Sequence, residues 1–336
     1  MPFYEYKSVI NLLSKHSLNK IKRQSLLVWI NPISKGEIMR EPDHPLLAPY
    51  KAAILAAEKP TAEITLEPCG NLTLSQSKIG GLPYLPLDAE YPRNPYHQPL
   101  TLLAQINFAE MPPLPDFPTS GILQWFIDLH GFFSCWGLDS KNPLNQDGFR
   151  VLYYPEVLSD DALVRDFSFL ENVPPVPPPK RSLWRRIKDW GMDGESHPPF
   201  VHPCAIRFQS GSQFPSFQDC TLHLRGEGVP DITYDNYEHD DEAVCDAYTE
   251  FVFAESAADE RGCYNGGHRI GGHPEFTQED PRALVPAYRE YVQLMQLDSD
   301  DKHTMWGDAG VGHLFIHPDD LRRRDFSRVM YSWDCC

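Results

Sequence analysis

The sequence predicts a β-rich α+β protein built from two pseudo-symmetric copies of an antiparallel β unit, with a few peripheral helices. Three observations carry this: an internal repeat, a surplus of proline over glycine, and apolar runs too short for long helices. Lys78-Ile79-Gly80-Gly81-Leu82-Pro83 returns as Arg269-Ile270-Gly271-Gly272-His273-Pro274, an offset of 191 residues. Leu103-Ala104-Gln105-Ile106-Asn107 returns as Leu294-Met295-Gln296-Leu297-Asp298 at the same offset, and 121–127 returns as 310–316 at an offset of 189. Three blocks in one order at nearly constant spacing mark a duplication, not a solenoid, whose period would be roughly 20 to 50 residues. The 32 prolines against 21 glycines imply many fixed turns and strand edges.

Taken in order, residues 9–21 and 44–58 read as helices. Each Gly-Gly-x-Pro step then supplies residues that tolerate positive φ followed by one with fixed φ, which makes a sharp corner. Residues 100–107, 122–127 and 149–154 read as strands, as do 205–209, 291–297, 311–316 and 329–333. A helix is expected over 242–255 and a short one over 318–324, where Pro318, Asp319 and Asp320 suit a first turn. The pattern implies two pseudo-symmetric sheets. It divides the chain into a helical extension over 1–60, a first repeat over 61–173, a Pro-rich and basic linker over 174–200, and a second repeat over 201–336.

Composition limits the function. With 41% apolar and 12% aromatic residues against 23% charged, the 336-residue chain has ample surface to bury. Thirty basic against 47 acidic residues leave a net charge of -17, which argues against binding nucleic acid or anionic lipid. No apolar run approaches the roughly 20 residues of a membrane helix. The start lacks the succession of a secretion signal, and the eight cysteines contain no Cys-x-x-Cys, so a cytoplasmic protein with free thiols is expected.

Ser77-Lys78-Ile79-Gly80-Gly81-Leu82-Pro83-Tyr84-Leu85-Pro86, Leu103 to Asn107 and Pro112-Pro113-Leu114-Pro115 resemble the first half of the YwqG-like family. Gly271-Gly272-His273-Pro274, Gln278, Leu294 to Asp300, Trp306-Gly307-Asp308-Ala309-Gly310 and Tyr331-Ser332-Trp333-Asp334-Cys335 resemble its second half. The resemblance runs from about residue 63 to the end and implies a duplicated, mainly β, cytoplasmic and usually bacterial protein. That family has no assigned reaction, so the resemblance carries no catalytic residue.

Candidate chemistry is sparse. Asp298, Asp300, Asp301, His303, Asp308 and His313 offer carboxylates and imidazoles for a divalent cation or for acid and base work. As a calcium loop the run fails, because Lys302 and His303 stand where a ligand and a glycine belong. The same acids also suit turns and caps. His268, His273, His313 and His317 form a zinc set only if the fold gathers them. Gly-x-Ser-x-Gly is absent, and Gly307 to Gly312 has the wrong glycine order for a phosphate loop. No catalytic residue, cofactor or metal is assigned on this reading.

The charge is concentrated instead. Residues 231–260 hold eleven acids and no lysine or arginine. Val244, Ala247, Tyr248, Phe251 and Val252 recur there at helical spacing, which turns Asp240, Asp241, Asp246 and Glu250 outwards. Asp235, Glu238, Asp240, Asp241, Glu242, Asp246 and Glu250 are therefore the expected partner-binding residues, together with Trp184 and Trp190 of the basic stretch after the prolines. The function expected is a non-catalytic module of immunity type, which covers the basic active-site surface of a cognate toxin. The alternative is a metal-assisted hydrolase or small-ligand binder using the Asp298 and Asp308 region.

Overall fold

The computed structural model describes residues 41–130, 135–171, 197–237, 241–253, 266–300 and 302–335. Along β1 (Lys59–Pro68), Ala62, Ile64 and Leu66 are buried while Glu63, Thr65 and Glu67 are exposed, the period-two signature of a strand with one covered face. The sequence reading left this strand out. It is followed by β2 (Lys78–Ile79), β3 (Thr101–Asn107), β4 (Ile122–Ile127) and β5 (Phe149–Tyr154). The second series is β6 (Cys204–Gln213), a small hairpin of β7 (His223–Leu224) and β8 (Ile232–Thr233), then β9 (His268–Gly271), β10 (Val292–Asp298), β11 (Val311–Ile316) and β12 (Met330–Asp334). The helices are α1 (Lys51–Ala56), preceded by a 3-10 turn from Pro45, α2 (Glu242–Phe253) and α3 (Pro318–Arg323). The expected helix over 9–21 lies outside the described residues.

The two copies share one antiparallel sheet of ten strands, in the order β12-β11-β10-β9-β1-β6-β2-β3-β4-β5, where two sheets were expected. The missed strand is the reason, since β1 pairs with β9 on one side and with β6 on the other. Register makes the symmetry explicit. Lys78 faces Ala205 as Arg269 faces Glu63, so β2 maps onto β9 at an offset of 191 and β1 onto β6 at 142. Under the same operation the Thr65–Arg207 pair maps onto itself, which places a pseudo-twofold axis at that pair, within the β1–β6 ladder. Each copy therefore sends its first strand to the corner strand of the other. The difference between the offsets makes the second copy 49 residues longer before its corner, and that length holds the β7–β8 hairpin and α2.

Local details repeat with the strands. Gly80, Gly81, Gly271 and Gly272 all have φ between 63° and 73°, which opens the corner without the side-chain clash an L residue meets there. At Gly80 a Cβ would lie 2.6 Å from the Phe200 ring. A register shift falls between Leu102 and Ala104 in one copy and between Gln293 and Met295 in the other, the same bulge twice.

The sheet bends until its two ends touch. Trp125 of β4 stacks on Trp306 at 5.8 Å and meets Tyr331 of β12 at 5.4 Å, while Phe149 of β5 meets Tyr331 at 5.1 Å. These rings belong to one apolar core that also takes in Ile64, Ile79, Leu123, Ile270, Leu297 and Leu314. The other face of the sheet is covered by the loops after the glycine corners, so every residue of β4 and β11 is buried. A second, smaller core packs α1 and α2 with the β7–β8 hairpin.

Candidate functional site

Helix α2 is placed by its apolar face. Ala247, Tyr248, Phe251 and Val252 are buried, and the Tyr248 hydroxyl donates to the Pro215 carbonyl at 2.7 Å. Burying side chains of the Phe and Val size is worth about 1.5 to 3 kcal/mol each, enough to hold the helix against the repulsion of its own acids. Glu242, Asp246 and Glu250 remain exposed on the opposite side, as the periodicity implies. They stand four residues apart and form one row along the helix. Among the described residues none of the three pairs with a lysine or arginine.

The other acids of this stretch have different surroundings. Asp241 accepts the Ala243 amide at 3.0 Å and organises the start of α2. Asp235 holds Arg289 in a two-bond fork, both at 2.7 Å, so its charge is neutralised within the chain. Glu238, Asp240, Trp184 and Trp190 lie outside the described residues.

What ties this insertion to the sheet is a buried ionic network that the sequence reading did not find. Arg282, 1% exposed, donates from Nε and Nη2 to Asp280, from Nη2 to Asp219 at 2.8 Å and from Nη1 to the Tyr291 carbonyl at 2.7 Å. Its guanidinium also lies over the Phe315 ring. His273, from the second corner, donates through Nδ1 to Asp219 at 2.6 Å, and its Nε2 stands 2.9 Å from the Ala57 carbonyl. Burial opposes ionisation of Asp219, but Arg282 and His273 hold its carboxyl far below the usual range. Asp219, Cys220 and Asp280 converge closely enough to grip a metal ion. Arg282 already supplies the positive charge there, and burial pushes the Cys220 thiol up to about 12, away from the thiolate a metal would need. The network is structural.

The carboxylates near Asp298 are occupied as well. Asp298 accepts the amides of Gly267 at 2.6 Å and Ser299 at 2.7 Å. Asp300 accepts the amides of Lys302, His303 and Thr304, and His303 Nδ1 donates to it at 2.8 Å. Although partial burial opposes it, His268 and these amides keep the Asp300 carboxyl well below its ordinary value. Asp300 is thus a turn former. Asp308 is exposed, while His313 is buried between Phe276 and Phe315, at 4.7 Å and 5.3 Å. No three of Asp298, Asp300, Asp308 and His313 bring ligand atoms together. The four histidines are likewise dispersed: His268 faces Asp300, His273 faces Asp219, and His317 caps α3 through the Asp319 amide. Asp301 lies outside the described residues.

The repeat also places a polar clamp in each copy. Gln105 accepts the Tyr84 amide at 2.8 Å and donates to the Leu74 and Gln76 carbonyls; Gln296 accepts the Glu275 amide at 3.1 Å and donates to the Gly267 carbonyl. Each partner pair sits at the offset of 191, so the same side chain fastens the same corner loop twice. Ser77 Oγ accepts the Asn107 amide, and at the matching position His268 Nδ1 accepts the Asp298 amide. The signal available in the sequence was the repeated glutamine itself. Beside it, residues 77–335 match a family model described as "Domain of unknown function (DUF1963)".

The chain belongs to the DUF1963 family. The blocks that resemble the YwqG-like family from Ser77 onwards fall within the matched residues. The DUF1963 match begins after β1, although β1 is central to the sheet. A comparison with curated proteins gave no match. Among the described residues no helix is long and apolar enough to cross a membrane.

Proposed function

We propose that this DUF1963 protein is a non-catalytic, cytoplasmic protein-binding module of immunity type, which neutralises a basic toxin or effector domain by covering its active-site surface. The supporting observation is the row of Glu242, Asp246 and Glu250 on α2. Three carboxylates that pair with no lysine or arginine among the described residues stand on a helix whose other face is packed, so the field they make is fixed in place. In a chain of net charge -17, such a row attracts a basic surface and speeds encounter at low ionic strength. The occupied state of Asp298 and Asp300 favours contact over chemistry.

The test uses the full chain as bait in a lysate of its native host, beside the variant E242K/D246K/E250K. The wild type is expected to retain a stoichiometric basic protein at low salt and to lose it as salt rises, and the variant to retain none. Recovery of no partner at any salt, or equal recovery by the variant, sinks the reading.

A further inference from the structure

We propose that the cleft between β5 and the turn joining α3 to β12 binds a small apolar carboxylate. The cleft has a volume of about 450 Å³ and lies where the two ends of the sheet meet. Arg150, Val151, Leu152 and Tyr153 line it from the first copy, and Arg324 and Phe326 from the second. Sites for small ligands have volumes of this order, a mostly apolar lining and a few directed polar groups.

The apolar part is well ordered by packing. Phe326 is 5% exposed and meets the Tyr153 ring at 5.0 Å. Gln146 fastens the rim, donating to the carbonyls of Phe326 and Ser327 and accepting the Val151 amide. Both copies thus contribute to one floor.

The charged part points to the ligand. Elsewhere in this acidic chain Arg207, Arg282, Arg289, Arg322, Arg323 and Arg328 each hold a carboxylate. Arg150 does not: its Nε donates to the Gln146 carbonyl at 3.4 Å, and among the described residues its two Nη groups have no protein partner. Arg324 donates to the carbonyls of Asp116, Phe117 and Leu321 and likewise has no carboxylate. Asp325 also lines the cleft, with Oδ1 taken by the Ser327 amide and hydroxyl. Two guanidiniums against one carboxylate leave a single positive charge. A carboxylate cancels it and matches the fork of Arg150, whereas a phosphate dianion would exceed it. The ligand's head meets Arg150, and its apolar body lies against the half-buried Leu152 and Tyr153.

Titration calorimetry of the full chain with phenylacetate is expected to show saturable, stoichiometric binding, and phenylacetamide none. Arg150→Ala should weaken phenylacetate at least about tenfold, the usual effect of losing a hydrogen bond to a charged group. Arg150→Lys, which keeps the charge without the fork, gives the same readout if Arg150→Ala loses its wild-type circular dichroism. Arg225→Ala, a distant surface change, should bind as the wild type does. Absence of saturable binding, equal binding of the amide, an unchanged affinity in the Arg150 variants, or an equal loss in Arg225→Ala overturns the proposal. The cleft shares no residue with the acidic row of α2, so either proposal can fail alone.

Discussion

Replacing His313 by glutamine is expected to stabilise the protein, because the first copy shows what this position accommodates. The equivalent residue, Gln124, donates through Nε2 to the Tyr84 carbonyl at 2.7 Å and to Gln105 Oε1 at 2.8 Å. In the second copy the matching acceptors are the Glu275 carbonyl and Gln296 Oε1, yet among the described residues the His313 ring makes only a poorly aligned bond, to the Glu275 carbonyl. A buried polar atom left unpaired costs about 1 to 3 kcal/mol, and each bond regained contributes about 0.5 to 1.5 kcal/mol. Against this stands the loss of the ring contacts with Phe276 and Phe315, about 0.5 to 1.5 kcal/mol beyond area. The glutamine would in turn bury an Oε1 without a partner, as Gln124 does, and with that cost the balance is a gain of about 1 kcal/mol at neutral pH.

The pH dependence sharpens the test. Burial, aided by Arg269 and Arg282, holds the His313 imidazole well below its ordinary 6.5, so the folded chain keeps it neutral. As the pH falls below 6.5 the unfolded chain binds a proton there that the folded chain does not, and the wild type loses stability. Glutamine does not titrate. The advantage of His313→Gln should therefore widen by about 1 kcal/mol between about pH 7 and about pH 5.5. Urea unfolding at several pH values measures this, with Gln124→His as the reverse exchange, expected to cost about 2 to 4 kcal/mol. A variant less stable than the wild type throughout, or a gap that does not change with pH, would refute the symmetry argument.

Other expectations follow from the same geometry. Gln105→Leu should cost about 3 to 5 kcal/mol in urea unfolding and Gln296→Leu less, since among the described residues Gln105 holds more backbone groups at its corner. Burial raises Asp334 to about 6, with its Oδ1 lacking a partner among the described residues. Its folded form therefore keeps a proton that the unfolded chain has released, and ionisation costs stability as pH rises through that value. Asp334→Asn should gain on the wild type by about 1 kcal/mol between about pH 5 and about pH 7, and a constant difference would count against it. Gly272→Ala should destabilise more than Gly81→Ala, as its Cβ would meet Gln213 Oε1 at 2.4 Å, and equal midpoints would contradict the corner geometry. Fragments 42–180 and 181–336 should be insoluble or unfolded alone and reassemble on co-expression, because β1 and β6 each complete the other copy's sheet; independent folding of either fragment by circular dichroism would exclude the exchange.

Much of the local structure was legible in the sequence. The glycine corners, seven of the strands and the helices α1, α2 and α3 were marked by turn chemistry and by hydrophobic period, both of which act over a few residues. The exposed row on α2 was legible for the same reason, since period alone decides which face is wet. The register of the repeat also carried the matched glutamines, although nothing in the sequence said what they fasten.

Contacts between distant segments were not legible. β1 carried its alternation openly, but its meaning depended on two partners more than a hundred residues away, and so one sheet was read as two. Asp219 and Arg282 are 63 residues apart, and only packing turns the acid from a surface charge into one half of a buried pair. The same holds for the cleft at Arg150, whose walls come from opposite ends of the sheet. Local preferences are set by each residue's own backbone and neighbours, so the sequence by itself determined the β character, the corners and the acidic face. Strand exchange and charge pairing depend on which distant groups share a low-dielectric interior, and those only the tertiary structure decided.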